Sequence, residues 1–217
     1  MPERDESPSA LSSGLTLALV AAICTALVAL TWSVTRPRIA ENERNYLRQS
    51  LSPALADIYY DNDLSESILV IPPPHDLPGR EPVTVYRLSR GSEPAAAVFI
   101  VNAPGGYAGP IRLLIGIDYA GQVTAVRVLA HNETPGLGDL IESSRSNWLQ
   151  QFDGTSLDAP PRDRWAIRRD GGAFDQLTGA SVTPRAVVRA VRETLIYFEA
   201  NRERLFAARE SNGEEGK

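Results

Sequence analysis

The 217-residue chain has one cysteine, Cys24, and two histidines, His75 and His131. A lone cysteine can form no internal disulfide and supplies no thiolate cluster for zinc or an iron–sulfur centre. Two histidines without such a cluster make metal catalysis a poor expectation, and no metal site is assigned. There is also no basic surplus: the net charge of −5 lacks the concentrated cationic stripe that nucleic-acid binding requires. No Gly-x-Gly-x-x-Gly nicotinamide fingerprint and no nucleophile–base triad can be picked out. The 43% of hydrophobic residues is enough for a globular core, and the length suits one domain with attachments.

Charge is missing altogether from Ser7 to Thr35, and the apolar part of that stretch runs from Gly14 to Val34. A helix rising about 1.5 Å per residue needs roughly 20 residues to cross about 30 Å of hydrocarbon. This predicts a single membrane-spanning helix over residues 14–34 behind an N-terminal tail of residues 1–13. The alternative, a cleaved signal peptide, would have a shorter apolar region and a small-x-small cleavage site. Thr16, Thr25 and Ser33 are tolerable there because hydroxyls can bond back to helix carbonyls, and Trp32 suits an interfacial position. Arg36, Arg38, Arg44 and Arg48 follow the span while only Arg4 precedes it, so positive-inside counting favours a cytoplasmic C-terminal domain.

Residues 35–80 read as a loosely amphipathic helical stalk, from Ile39 to about Leu55, followed by a proline-rich loop, Ile71–Gly79, in which His75 is a solvated residue. Four β-type runs come next: Val83–Leu88, Ala95–Asn102, Ile111–Asp118 and Val123–Leu129. Pro104-Gly105-Gly106 and Tyr119-Ala120-Gly121 supply tight reversals, which predicts an antiparallel meander. Asp139–Phe152 reads as a helix and Asp158–Arg164 as a polar loop. A strong helix begins at Thr183, with Val188, Val191, Leu195 and Phe198 forming one apolar stripe and Arg185, Arg189 and Arg192 off it. Strands in the middle with helices at the ends make an α+β domain over residues 81–210, with a frayed tail at 211–217.

The chemistry concentrates in Asp175-Gln176-Leu177-Thr178-Gly179-Ala180-Ser181-Val182-Thr183-Pro184. Thr183 before Pro184 is a helix start, its hydroxyl placed to cap orphan amides. Gly179, Ala180 and Ser181 leave room for a bulky group and an accessible hydroxyl, and a helix N-terminus beside them favours phosphate. By itself the segment could equally be a plain loop leading into a capped helix. The segment His131-Asn132-Glu133-Thr134-Pro135-Gly136-Leu137-Gly138-Asp139 can be a turn whose backbone amides are exposed to a ligand, or a simple strand-to-helix connection with an N-cap at Asp139. His131 is as readily a hydrogen-bonded core residue as a ligand contact.

Asp-x-x-Thr-Gly-Ala-Ser resembles the flavinylation motif of the G subunit of the Rnf (Rsx) ion-translocating oxidoreductase and of the C subunit of the sodium-pumping NADH:quinone reductase. The His-x-Glu-Thr-Pro-Gly-Leu-Gly segment is similar to a second motif of the Rnf family. Gly106-Tyr107-Ala108-Gly109 and Trp165-Ala166-Ile167-Arg168-Arg169-Asp170-Gly171-Gly172 are similar to Rnf G as well. The likeness extends from about Leu15 to Phe198, and the tryptophan-containing run and compact length favour Rnf G over the reductase subunit.

The resemblance implies an FMN-binding domain with a mostly antiparallel sheet flanked by helices, and one covalent FMN joined through its phosphate to Ser181 by a flavin transferase. These families usually have threonine at that position; serine offers the same oxygen nucleophile. Thr178 and Thr183 are the competing hydroxyls. Asp175, Gly179 and Ala180 would serve recognition or positioning, and His131, Glu133, Thr134, Gly136, Leu137 and Gly138 would line the cofactor. The resemblance further implies an electron carrier without a catalytic site of its own, in a single-pass inner-membrane subunit. Its domain would be periplasmic, against the charge count, with lipid and the other Rnf subunits as partners; a tethered binding or assembly subunit without flavin is the rival from another class.

Overall fold

In a computed structural model the described residues are 10–55, 58–64 and 66–207, and side chains are described for 14–36, 38, 58–64 and 66–207. The chain divides into two compact units, residues 1–47 and 48–217. The expected frayed tail at 211–217 and the amphipathic face of the stalk lie outside the described residues and side chains.

Helix α1 spans Ala10–Leu55, and its Gly14–Arg36 stretch, 23 residues with a mean hydropathy of 2.3, is long and apolar enough to cross a membrane. The polar atoms in that stretch are turned inward on the helix: Thr25 Oγ1 donates to the Ala21 carbonyl and Ser33 Oγ to Leu30, each at 2.8 Å. The Arg36 guanidinium lies 4.7 Å from the Trp32 ring centroid, a cation–π contact at the end of the apolar stretch.

In the second unit, alternating branched residues pair as expected. Strands β1 (Ile68–Ile71), β2 (Val83–Arg90), β3 (Glu93–Ala103), β4 (Ile111–Asp118) and β5 (Val123–Ala130) form one antiparallel sheet in chain order, each hydrogen-bonded to the next. The short β1, directly before the proline run, was not anticipated. Its four residues are too few to show a period, and only pairing to Val83–Tyr86 of β2 defines them. In the proline-rich loop Pro72, Pro73 and Pro74 are exposed, but His75 is half-buried and donates from Nε2 to the Glu81 carbonyl at 2.9 Å, so it is an anchored residue and not a solvated one.

Helix α2 (Val182–Ala207) lies across β3 and β4. Its stripe of Val188, Val191, Leu195 and Phe198 is buried as predicted, with Val187, Ala186 and Ala190 widening it. At the centre, the Phe99 ring meets Tyr197 and Phe198 edge-on, with centroids 6.5 and 6.2 Å away. Such edge contacts add about 0.5–1.5 kcal/mol to the burial itself.

The expected helix over Asp139–Phe152 is absent. Two 3-10 turns, Gly138–Ile141 and Trp148–Phe152, take its place, and the chain leaves the first through an extended Glu142. Serine is the cause: Ser146 Oγ donates to the Leu140 carbonyl and accepts from the Trp148 amide, offering the backbone an alternative to i→i−4 pairing. Asp139 lies inside the first turn and makes no side-chain cap, so the expected N-cap there is also absent.

Phe99→Ala removes a fully buried ring from between sheet and helix and is expected to destabilise the domain by about 3–5 kcal/mol. Thermal unfolding of the detergent-solubilised chain reads this as a large drop in midpoint; a midpoint within a degree or two of wild type contradicts the packing described.

Candidate functional site

Among the described residues, Leu177–Val182 is the segment that both reverses sharply and leads into the long helix of the domain. The Ala180 amide donates to the Leu177 carbonyl at 3.2 Å, closing a tight turn in which Gly179 has φ +81°, a conformation costly for any residue with a β-carbon. A β-carbon there would also stand 3.1 Å from Leu137 Cδ2. Ser181 follows, immediately before α2, so it and not Thr183 occupies the capping position. Thr183 is one residue inside the helix and Pro184 is the third helical residue, where its missing amide hydrogen is still among the orphans of the first turn.

Thr183 is buried and donates its hydroxyl to Glu133 Oε2. Glu133 is itself only 5% exposed, and its other oxygen, Oε1, accepts from the Ala108 amide at 3.1 Å. One carboxylate therefore joins the turn after β3, the segment after β5, and the head of α2. Glycine makes this possible. A β-carbon on Gly138 would lie 2.5 Å from Oε2, and one on Gly106 would lie 2.8 Å from Oε1.

These pieces enclose a cleft of about 400 Å³ lined by Tyr107, Glu133, Thr134, Leu137, Gly138, Gly179, Ala180, Ser181, Val182 and Thr183. Its mouth carries apolar groups that a folded domain normally hides: Tyr107 is 74% and Leu137 45% exposed. The volume, the apolar rim and the few polar atoms suit a planar aromatic ligand. Beside the Ser181 hydroxyl, Arg169 Nη1 donates to Oγ at 3.2 Å, so an anionic group bonded there would meet a cation.

The structure brings together most of the expected residues and sets four apart. Asp175 is exposed and outside the cleft, ion-paired to Arg168 at 3.0 Å. Its main chain is held on both sides: Trp148 Nε1 donates to its carbonyl at 2.8 Å and its amide donates to Gln151 Oε1 at 2.6 Å. Thr178 is exposed at the outer corner of the turn and Gly136 stands at a corner with φ +79°; neither lines the cleft.

His131 also lies away from the cleft. Its Nδ1 accepts from the Glu133 amide at 3.0 Å, which leaves the proton of the neutral ring on Nε2, donating to Glu142 Oε1 at 2.8 Å. That hydrogen bond is the main reason the Glu142 carboxyl sits below its ordinary value of 4.5, against the opposing effect of burial. His131 is thus the hydrogen-bonded core residue of the two readings. Next to it, buried Asp139 has Arg145 Nε 3.0 Å from Oδ2, at ion-pair distance, while neither oxygen accepts an aligned hydrogen bond among the described residues.

Three residues at the site were not expected there: Tyr107 and Val182 at the rim and Arg169 at the hydroxyl. All three belong to motifs already singled out: Tyr107 to residues 106–109, Val182 to residues 175–184, and Arg169 to residues 165–172.

Glu133→Ala strands the buried Thr183 hydroxyl and releases the Ala108 amide, and is expected to destabilise the domain by about 2–4 kcal/mol. Chemical denaturation of the purified chain checks it, and Asp175→Ala, on the exposed face, should cost well under about 1 kcal/mol in the same assay.

A family model described as FMN-binding domain matches residues 106–196, and one described as RnfG N-terminal region matches residues 1–53. Similar curated proteins are named as the G subunit of an ion-translocating oxidoreductase complex. One from Pseudomonas aeruginosa is 44% identical over 207 residues, 95% of this chain and 97% of its own. One from Shewanella amazonensis is 44% identical over 198 residues, covering 91% and 92%, and one from Vibrio cholerae is 42% identical over 193 residues, covering 89% and 92%. With both parts matched and relatives this similar along nearly their whole length, the chain belongs to the family of G subunits of ion-translocating oxidoreductase complexes.

Proposed function

We propose that the chain is the membrane-anchored electron carrier of an Rnf-type ion-translocating oxidoreductase, holding one FMN esterified through its phosphate to Ser181. The observation that carries this reading is the half-exposed Ser181 hydroxyl in the wall of the cleft, on the last residue before a 26-residue helix. Bound there, a flavin supplies one- and two-electron transfer.

The protein's part is placement. The unpaired amides of the first turn of α2 and the Arg169 guanidinium favour a phosphodiester at Ser181. Tyr107, Leu137 and Val182 offer apolar surface to a ring. Glu133 keeps the two walls of the cleft together while both its oxygens remain engaged with protein donors. Asp175, Thr178, Gly136 and His131 then act by shaping or presenting the segment, since none of them faces the cleft.

Of the hydroxyls in the motif, Ser181 alone is both on the cleft and accessible: Thr183 is buried against Glu133 and Thr178 is outside. The electron-transfer domain is taken as residues 81–210, fed and drained by neighbouring subunits linked to ferredoxin and NAD. A dedicated flavin transferase loads it. We place the domain on the periplasmic side of the inner membrane, as in the family the chain belongs to, even though Arg36 and Arg38 follow the apolar stretch.

Co-expression with a flavin transferase, followed by denaturing electrophoresis and intact mass, tests the attachment. A fluorescent band and a mass gain of one FMN are expected, lost in Ser181→Ala and kept in Thr183→Ala, which should cost about 1–2 kcal/mol of stability. Fluorescence that survives Ser181→Ala rules out the assignment. For the orientation, Tyr119→Cys in a Cys24→Ser chain is expected to react with a membrane-impermeant maleimide in intact cells whose outer membrane is permeabilised; labelling only after lysis puts the domain in the cytoplasm.

A further inference from the structure

The turn Arg168–Asp170 touches the acceptor segment three times with three consecutive residues. Arg168 Nε pairs with Asp175 Oδ1 at 3.0 Å, Arg169 Nη1 donates to Ser181 Oγ at 3.2 Å, and Asp170 takes a two-pronged hydrogen bond from Arg185 at 2.5 and 2.8 Å. Asp175 begins the segment, Ser181 is its acceptor, and Arg185 lies in the first turns of α2, so the turn grips the segment at its start, middle and end.

The turn is itself immobilised from below. The Arg168 amide donates to the Phe174 carbonyl at 2.7 Å and the Gly172 amide to Ile167 at 3.0 Å. Ile167, Trp165 and Phe174 are buried, with the Phe174 ring 4.7 Å from Trp165 and 4.8 Å from Phe152, centroid to centroid. Gly172 fits so closely that a β-carbon would sit 1.8 Å from the Ala166 carbonyl oxygen.

The charges of the turn and Arg185 differ in what they meet. Arg168 and Arg185 each face a carboxylate, and Asp170 is turned to Arg185. Arg169 alone of the three arginines directs its hydrogen bond to a neutral oxygen, and that oxygen is the nucleophile. Elsewhere in the domain such a contact would be an ordinary surface hydrogen bond; here it falls on the proposed acceptor, from a turn whose main chain is tied down.

We propose that Arg169 is a catalytic residue of the attachment step, and afterwards the cation that holds the ester phosphate. The inference rests on Ser181 being the acceptor. In the step, Ser181 Oγ forms a new P–O bond to the FMN phosphorus of a flavin dinucleotide, and the P–O bond of the pyrophosphate bridge breaks. The other nucleotide leaves as its monophosphate, the hydroxyl proton passes to a base of the transferase or to solvent, and no electrons change hands.

Negative charge gathers on the oxygens of the phosphoryl group as it moves, and positioned cations are what lower that barrier. Arg169 commits one of its five N–H donors to Oγ, which orients the oxygen and turns its hydrogen away from the guanidinium. The other donors stand ready for phosphoryl oxygens bonded to the same atom, where charge-assisted hydrogen bonds are about twice as strong as neutral ones.

The test measures the initial rate of adduct formation on the full-length, detergent-solubilised chain with purified flavin transferase and flavin dinucleotide, read by in-gel fluorescence. Wild type is compared with Arg169→Ala, Arg169→Gln and Arg169→Lys, with the thermal midpoint of each unloaded chain as control. The alanine and glutamine variants are expected to be slowed about 100-fold at unchanged midpoint, the scale of losing one oxyanion donor, and lysine to recover part of the rate by restoring charge. Alanine or glutamine at the wild-type rate overturns the proposal, as does lysine no faster than glutamine. A wild-type chain that takes no flavin overturns the acceptor assignment instead, and is distinguishable because all four proteins are then equally unlabelled.

Discussion

A buried carboxylate that accepts from two separate pieces of chain is the constraint on which the cleft depends. Glu133 receives the Ala108 amide on one oxygen and the Thr183 hydroxyl on the other, from a position almost closed to water. Low local polarity makes each of these bonds strong and makes the loss of either partner costly. The sheet therefore ends in a fixed relation to the start of α2, and Ser181, one residue outside the helix, inherits that relation. The hydrogen-bonded pair of His131 and Glu142 fixes the same segment from behind through the Glu133 amide. Polar residues thus do here what apolar packing does under the rest of the helix.

The second support is aromatic. Phe152, Trp165 and Phe174 stack into a cluster whose members come from the two irregular stretches between β5 and α2. Those stretches have little regular hydrogen bonding to order them, and large rings that bury about 150–250 Å² each substitute for it. Trp148 and Trp165 also donate their indole N–H groups to main-chain carbonyls, so the rings fix backbone as well as fill space. A domain that puts its functional segment on a loop needs such a floor, because loops positioned by a rigid scaffold carry chemistry and loops without one drift.

Much of this was legible in the sequence because regular structure follows short periods. The β-type run Ile111–Asp118 and the three-and-four spacing of Val188, Val191, Leu195 and Phe198 could each be read locally, and the sheet and α2 comply. What escaped has a common cause, since its information lies in partners far along the chain. Strand β1 exists through pairing with β2. The helix expected at Asp139–Phe152 gives way to one serine hydroxyl, that of Ser146, which bonds the main chain. Thr183 carried a sound local signal for a cap, yet Glu133, fifty positions earlier, draws it inside the helix and leaves Ser181 at the boundary. In the candidate site, the turn and the nearby hydroxyl could be read directly, whereas Tyr107 reaches the cleft from a loop and Arg169 reaches the Ser181 hydroxyl from a 3-10 turn, segments that no periodicity ties to the site.

Among the described residues, Glu133 ties the walls of the cleft to one another by hydrogen bonds within the polypeptide. Under the proposed function, the geometry offered to a transferase is therefore one that the chain's own hydrogen bonds define. With Ser181 as the proposed acceptor, an order of maturation follows: the fold presents the hydroxyl, and esterification comes second. On that reading loading is a step of its own in biogenesis, and supply of the nucleotide sets how many copies of the protein can conduct.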